Sequence, residues 1–453
     1  MSNYFKLKQG LDIRLKGAST ATSVPEDIPA PTTIALKPTD FKGLTPKLCV
    51  KADDSVKAGD ALFFDKYHPD ILFTSPVSGK VKAIQRGDRR KIMEVVVESD
   101  GKNESQTFLK KNPLQLTREE ICEQLLKSGL WPFIQQRPYG IIANPKDTPK
   151  SIFVSFFDSA PLAPDVEYIL KNDKVALQTG INVLQKLIDK PINVGISPKQ
   201  ENSMFSSLSK NAIVNIFDGP HPAGNVGVQI NHVDPIAKGE KVWTVSPQAV
   251  VYIGRLFDTG TLDMSKVIAL SGSEVTEPKY YNTIHGTELC ELLKGKTKEE
   301  VKERFISGNV LTGTKVETDN YLGFFDNQIT VIPEGDELES FGWVKPGLNK
   351  FSASSTFLSK IFSKKEYVLN ANMHGDERAY VVTGQFEKLL PMGILPGYLL
   401  RAIIVNDIDK MEQLGIYEVI EEDLALCEYA DTSKTPIQDI IRKGINTMIN
   451  EVG

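Results

Sequence analysis

The sequence predicts a multi-domain α+β protein, and three observations carry that prediction. Two half-motifs of short alternating strands lie close together between Val50 and Ile84. Strands alternate with helical spacing from Ser151 to about Phe257. An isoleucine stripe at helical spacing closes the chain. At 453 residues the chain has room for about three domains.

The first half-motif runs from Val50 to Phe63 and the second from Thr74 to Ile84. Gly59-Asp60 and Ser78-Gly79 supply their turn chemistry. Together they resemble the barrel-sandwich folds of biotinyl and lipoyl carrier domains. The hairpin between them places Lys66 after Asp65, where a carrier would hold its modified lysine. Two features argue against modification. His68-Pro69 lengthens the turn, and Pro69 lacks an N–H and fixes its own φ. The Met-Lys-Met signature of biotin carriers is absent, so Lys66 reads as a solvated loop lysine.

Thr117-Arg118-Glu119-Glu120 is a capping box that opens a helix with Ile121, Leu125 and Leu126 on one face. Ile152 to Phe157 reads as a buried strand, Val175 to Ile188 as a helix, and Ile192 to Ile196 and Ile213 to Phe217 as further strands. This alternation implies a parallel, doubly wound sheet. A loop rich in glycine and proline, Asp218 to Gly227, follows. Residues 260–345 mix short strands with one helix, for which Thr297-Lys298-Glu299-Glu300 supplies the cap. In the tail, Thr435-Pro436-Ile437-Gln438 offers an N-cap, a proline at the first helical position and a capping glutamine. Ile437, Ile440, Ile441, Ile445, Met448, Ile449 and Val452 then share one stripe, which reads as core. A docking face is the alternative, in which case Ile441→Asp would release the chain from membranes without unfolding it.

Composition narrows the function. Hydrophobic residues make up 41% and charged residues 25%, as in ordinary soluble proteins. A net charge of −5 gives no reason to expect nucleic acid. The basic run Arg86 to Lys91 reads as a solvated turn. Cys49, Cys122, Cys290 and Cys427 have neither metal nor redox spacing, which suits a reducing compartment. The N-terminus has no signal-peptide apolar core. The most apolar run, Leu389 to Val405, is broken by Pro391, Pro396 and Arg401, so no spanning helix is expected.

Three chemistries compete for the polar residues. A nucleotide site needs backbone N–H groups after the first strand of the doubly wound segment. Here that loop is Asp158 to Pro164, with two prolines and no glycine. A metal could use Asp218, His221, His232 and Asp234, but no recognised ligand spacing is present. Covalent flavin would need an acceptor hydroxyl, and Asp12 to Ser19 approximates such a motif, with Ser19 as the acceptor. No Gly-x-Ser-x-Gly elbow occurs.

Longer motifs carry a resemblance over essentially the whole chain. His221-Pro222-Ala223-Gly224-Asn225, Trp243-Thr244-Val245, Ile253 to Phe257, Arg378 to Val381, Leu390 to Pro396, Glu421 to Tyr429 and the N-terminal Lys8 to Asp12 resemble the NqrA family. NqrA is a component of the Na+-translocating NADH:quinone oxidoreductase. It is similar to RnfC and to the NADH-binding subunit of complex I. The resemblance implies a barrel-sandwich hybrid over 1–100, a Rossmann-like α/β domain over 101–257, a soluble-ligand-binding β-grasp (SLBB) domain over 258–350 and a helical region over 351–453. It implies a peripheral subunit on the cytoplasmic face of the bacterial inner membrane, without signal peptide or spanning segment. Its partners would be the complex's other, integral-membrane subunits. Cys427 stands alone where the relatives hold an iron–sulfur cluster. Flavins, the iron–sulfur centre and NADH are therefore expected on partner subunits, with no catalytic residue and no metal in this chain. Quinone contact is the open ligand. The candidate functional loop is His221, Pro222, Gly224 and Asn225, because glycine there permits close backbone approach; a rigid domain junction is the plainer reading. The alternatives are a flavin- or NADH-binding oxidoreductase subunit, or a biotinyl/lipoyl-type carrier.

Overall fold

The two half-motifs build two small sheets on one apolar core. Strands Thr33–Leu36, Ile92–Ser99, Gly79–Arg86 and Ser55–Val56 form the first sheet, and Pro46–Leu48, Ala61–Asp65 and Leu72–Thr74 the second. Val81, Val95 and Val97 from one meet Leu62, Phe63 and Phe73 from the other. Gly79 sits at φ +156°, and a Cβ there would lie 1.9 Å from the Glu98 carbonyl oxygen, so the turn requires glycine. Lys66 is exposed, with its ammonium 5.2 Å from the centre of the Tyr67 ring. The computed structural model describes residues 2–21, 24–298, 300–336, 346–353, 357–361 and 365–452.

The middle of the chain forms a seven-stranded sheet. Its order is Asn3–Lys6, Ala212–Asp218, Ile192–Ile196, Ser151–Ser155, Val242–Val245, Ile134–Arg137, Ile141–Ile142. The first five strands are parallel and the last two antiparallel. Residues 3–6 thus extend this sheet rather than the barrel-sandwich. Phe5 stacks on Phe217 at 5.0 Å. The Thr117 capping box forms as expected: its hydroxyl accepts the Glu120 N–H, and Glu120 accepts the Thr117 N–H.

Helices Lys174–Ile188 and Pro247–Thr259 pack backbone to backbone. A Cβ on Gly254 would sit 1.7 Å from the Ala176 carbonyl oxygen, and one on Gly180 2.1 Å from that of Val250. Gly254→Ala is therefore expected to push the helices apart and lower stability by about 1–3 kcal/mol. Denaturant unfolding checks this, and a variant as stable as wild type would contradict the close crossing.

The third sheet has the order Thr314–Val316, Glu303–Ser307, Gln328–Pro333, Ser265–Ser271, Lys279–Ile284, Glu26–Asp27. Among the described residues no helix opens at Thr297, which instead bridges to Val275. The α-helix described in this region is Cys290–Leu293, upstream of that cap, and Glu303–Ser307 is a strand. The pattern Thr-Lys-Glu-Glu-Val-Lys has no apolar face to bury, and Val301 is 49% exposed. Glu299 lies outside the described residues, as do 337–345 and 354–356 on either side of the expected junction at 350.

In the tail, helices Pro396–Ile404, Glu421–Ala430 and Ile437–Glu451 pack together. Ile437, Ile441, Ile445 and Met448 are fully buried, which makes that part of the stripe core, whereas Ile440 and Ile449 are half-buried and Val452 is exposed. Its N-terminus is capped differently from expectation. The Gln438 N–H donates to Glu428 of the preceding helix at 2.7 Å, and the Gln438 side chain reaches the Leu311 carbonyl. Among the described residues no helix is long and apolar enough to cross a membrane.

Candidate functional site

Sheet order positions the site. From Ser151–Ser155 the chain winds outward in one direction through 192–196 and 212–218, then returns to place 242–245 on the other side. The carboxyl ends of 151–155 and 242–245 therefore splay at a topological switch point, where open α/β sheets hold ligands. A cavity of about 430 Å³ lies there. Ser155, Phe157 and Asp158 line it from one strand end, and Thr244 to Gln248 from the other. Phe325 to Asn327, the turn before strand Gln328–Pro333 of the third sheet, Gln328 itself and Glu422 of the tail close it. Three parts of the chain thus meet around one space of ligand size.

His221, Gly224 and Asn225 of the glycine–proline loop line this cavity. Pro222 is buried and follows a cis peptide bond. The Ser159 hydroxyl accepts the Gly224 N–H at 2.8 Å and lies 3.0 Å from His221 Nδ1. A Cβ on Gly224 would meet the Ser159 nitrogen at 2.6 Å, so glycine is required for this approach. Burial lowers the His221 pKa to about 4, which keeps the ring neutral. The His221 N–H donates to Asp12, and the Asn225 side chain donates to the Glu422 carbonyl. The loop is a junction tying the N-terminal segment, the sheet and the tail, and its inner side is cavity wall.

Sequence reasoning did not single out the charges here. Arg137 is buried, its guanidinium donating to Asp423 at 2.6 Å and to Glu422 at 2.5 Å. The Glu422 side chain is 41% accessible, from the cavity, yet walled by protein. Burial, with the charges of Asp423 and Asp158 adding to it, raises its carboxyl above the usual range against the pull of Arg137. Asp158 likewise faces the cavity, and burial raises it. The Glu421-Glu422-Asp423 run was a visible signal at a helix start; Arg137 had none.

The same geometry disfavours a phosphate. No glycine follows 151–155, and the next helix, Val166–Leu170, is five residues long. Asp165 already accepts the N–H groups of Glu167 and Tyr168 at its start. A carboxyl, Asp158, stands near the place of a phosphate.

The remaining candidates are held in structural bonds. Asp218 accepts the Tyr4 hydroxyl, His232 donates to the Val228 carbonyl, and Asp234 accepts the Ser151 hydroxyl and pairs with Lys150. The Ser19 hydroxyl contacts Leu270 and Ser271 in the third sheet. Cys427 is buried, and burial pushes its thiol up. Among the described residues no three His, Cys, Asp or Glu side chains gather as a metal-holding group.

Comparison with known proteins matches this architecture piece by piece. The NqrA N-terminal barrel-sandwich hybrid domain matches residues 5–100, the NqrA second alpha/beta domain 116–262, and the NQRA C-terminal (SLBB) domain 267–318. The chain belongs to the NqrA family. The A subunit of the Na(+)-translocating NADH-quinone reductase of Yersinia pseudotuberculosis is 39% identical over 451 residues, covering 99% of this chain and 100% of the relative. The corresponding proteins of Photorhabdus laumondii and Neisseria meningitidis are 38% and 37% identical over 453 residues each, covering 99% and 98% of this chain and 100% and 99% of the relatives. Among solved structures, an NAD+-reducing [NiFe]-hydrogenase aligns at 12% identity over 67% of this chain and 55% of its own, with a TM-score of 0.35, too low to carry fold or function.

Proposed function

We propose that this chain is the NqrA component of a Na+-translocating NADH:quinone reductase, a complex that couples NADH oxidation and quinone reduction to sodium export. The observation that carries the reading is similarity to NqrA relatives along the whole chain. In this reading the protein sits on the cytoplasmic face, held by integral-membrane partners. NADH oxidation, flavins and the iron–sulfur centre belong to those partners. The occupied helix start at Asp165 and the buried, solitary Cys427 support that division.

The switch-point cavity is our candidate for quinone contact. Phe133, Phe157 and Phe325 offer ring faces, and Asn225, Asp158 and Glu422 offer polar groups. With their pKa values raised, Asp158 and Glu422 keep protons to higher pH than ordinary carboxyls and can donate hydrogen bonds to a ring carbonyl. Deprotonation turns both into acceptors. Affinity for a short-chain ubiquinone is therefore expected to fall as pH rises through these raised values. The double variant Asp158→Asn/Glu422→Gln, whose amides donate at any pH, should bind with little pH dependence. Calorimetric titration of the purified chain from pH 5.5 to 8.5 reads both. A pH-independent wild-type affinity, or no binding at any pH, removes quinone from this cavity. A bound flavin spectrum or tight NADH binding would favour the oxidoreductase alternative.

A further inference from the structure

Behind the Phe133 wall of the cavity lies a seam between the seven-stranded and six-stranded units. Tyr252 reaches it from helix 247–259 and His285 from just past strand 279–284; Thr283 lies two residues before His285, on the same side of that strand by its two-residue period. Tyr252, Thr283 and His285 are 1%, 7% and 1% exposed. The Tyr252 hydroxyl, the Thr283 hydroxyl and both ring nitrogens of His285 have no partner in the protein. The neighbours of Tyr252 and His285 are rings. Phe133 lies 5.5 Å from Tyr252 and 5.4 Å from His285, Phe324 lies 4.4 Å from His285, and Tyr252 and His285 are 6.2 Å apart at 89°. Aromatic faces accept only weak hydrogen bonds and donate none, and buried polar atoms left unmet are rare.

We propose that ordered water fills this seam and bridges Tyr252, Thr283 and His285. The complement of groups fits water. Burial, then the charges of Lys266 and Lys37, hold His285 neutral, so its ring presents one donor and one acceptor. The two hydroxyls can act either way, matching a molecule with two donors and two acceptors. A sodium ion does not fit. Lys266 is the cross-strand partner of Thr283, is buried, and donates to the Asp326 carbonyl on the cavity wall at 2.6 Å. Its ammonium opposes a second cation, and no carboxylate is among the unmet groups of this seam. The junction beside the cavity is therefore hydrated rather than dry.

The test combines a crystal structure that resolves solvent with thermal unfolding of the full chain, Tyr252→Phe, Thr283→Val and the double variant, each in sodium chloride and in choline chloride. Water in hydrogen-bonding reach of at least two of the three side chains is the expected structural result. Each single substitution should then lower Tm by roughly 2–4 °C. The double variant should lose less than the sum, because both hydroxyls serve one network, with the same losses in both salts. A dry seam in the crystal overturns the proposal, as do single variants with unchanged or raised Tm. Stabilisation specific to sodium that either substitution abolishes would show a cation there instead.

Discussion

Replacing Arg137 with methionine is expected to cost the folded chain about 3–5 kcal/mol, because it leaves Asp423 charged and buried without its counter-ion. The Asp423 side chain is fully buried, and besides Arg137 it accepts the Ile420 N–H at 2.9 Å, which fixes the start of helix 421–430. Glu422, more accessible from the cavity, should lose less. The strain falls on the tail: helix 421–430 should detach first, and protease cleavage between residues 405 and 440 should accelerate. Adding Asp423→Asn to Arg137→Met should recover part of the loss, since the amide carries no charge to compensate. Denaturant unfolding with limited proteolysis reads both effects. A loss under about 1 kcal/mol would mean that the pair is solvated rather than buried.

Ile441→Asp is expected to be as damaging, for a different reason. Ile441 is fully buried among the tail helices. Its replacement removes a core side chain and inserts a carboxylate with no cation, a change worth about 3–5 kcal/mol or more. Loss of membrane association by this variant would follow from unfolding of the tail. The far-ultraviolet circular dichroism signal and Tm should both drop. A well-folded variant that merely left the membrane would restore the docking-face alternative.

The parts of the fold that were legible in the sequence are those fixed by local chemistry. The half-motifs at 50–84 combine alternation with glycine turns, and the strands at 192–196 and 213–217 are short runs rich in isoleucine and valine, each with one asparagine. Asn3–Lys6 offered no comparable signal. It is a strand because it pairs with 212–218, more than two hundred residues away. The Thr297 cap misled because a capping pattern starts a helix only where an apolar face can be buried. The site divides the same way. The glycine–proline loop advertised itself, and His221, Gly224 and Asn225 line the cavity. Asp158 acquires its character from burial, and Arg137 and Glu422 acquire theirs from burial and the charges packed against them. Arg137 and Asp423 stand 286 positions apart, and no local pattern connects them.

The central claim is that this chain works as one component of a sodium-pumping reductase. The most direct measurement is purification of the tagged chain from mildly solubilised membranes, with the eluate assayed for flavin and for Na+-stimulated NADH:quinone reduction. The account predicts that integral-membrane partners, flavin and sodium-dependent activity elute together, and that the chain stripped of those partners is colourless. A chain that elutes alone from the soluble fraction, or keeps a flavin of its own after its partners are removed, would contradict it.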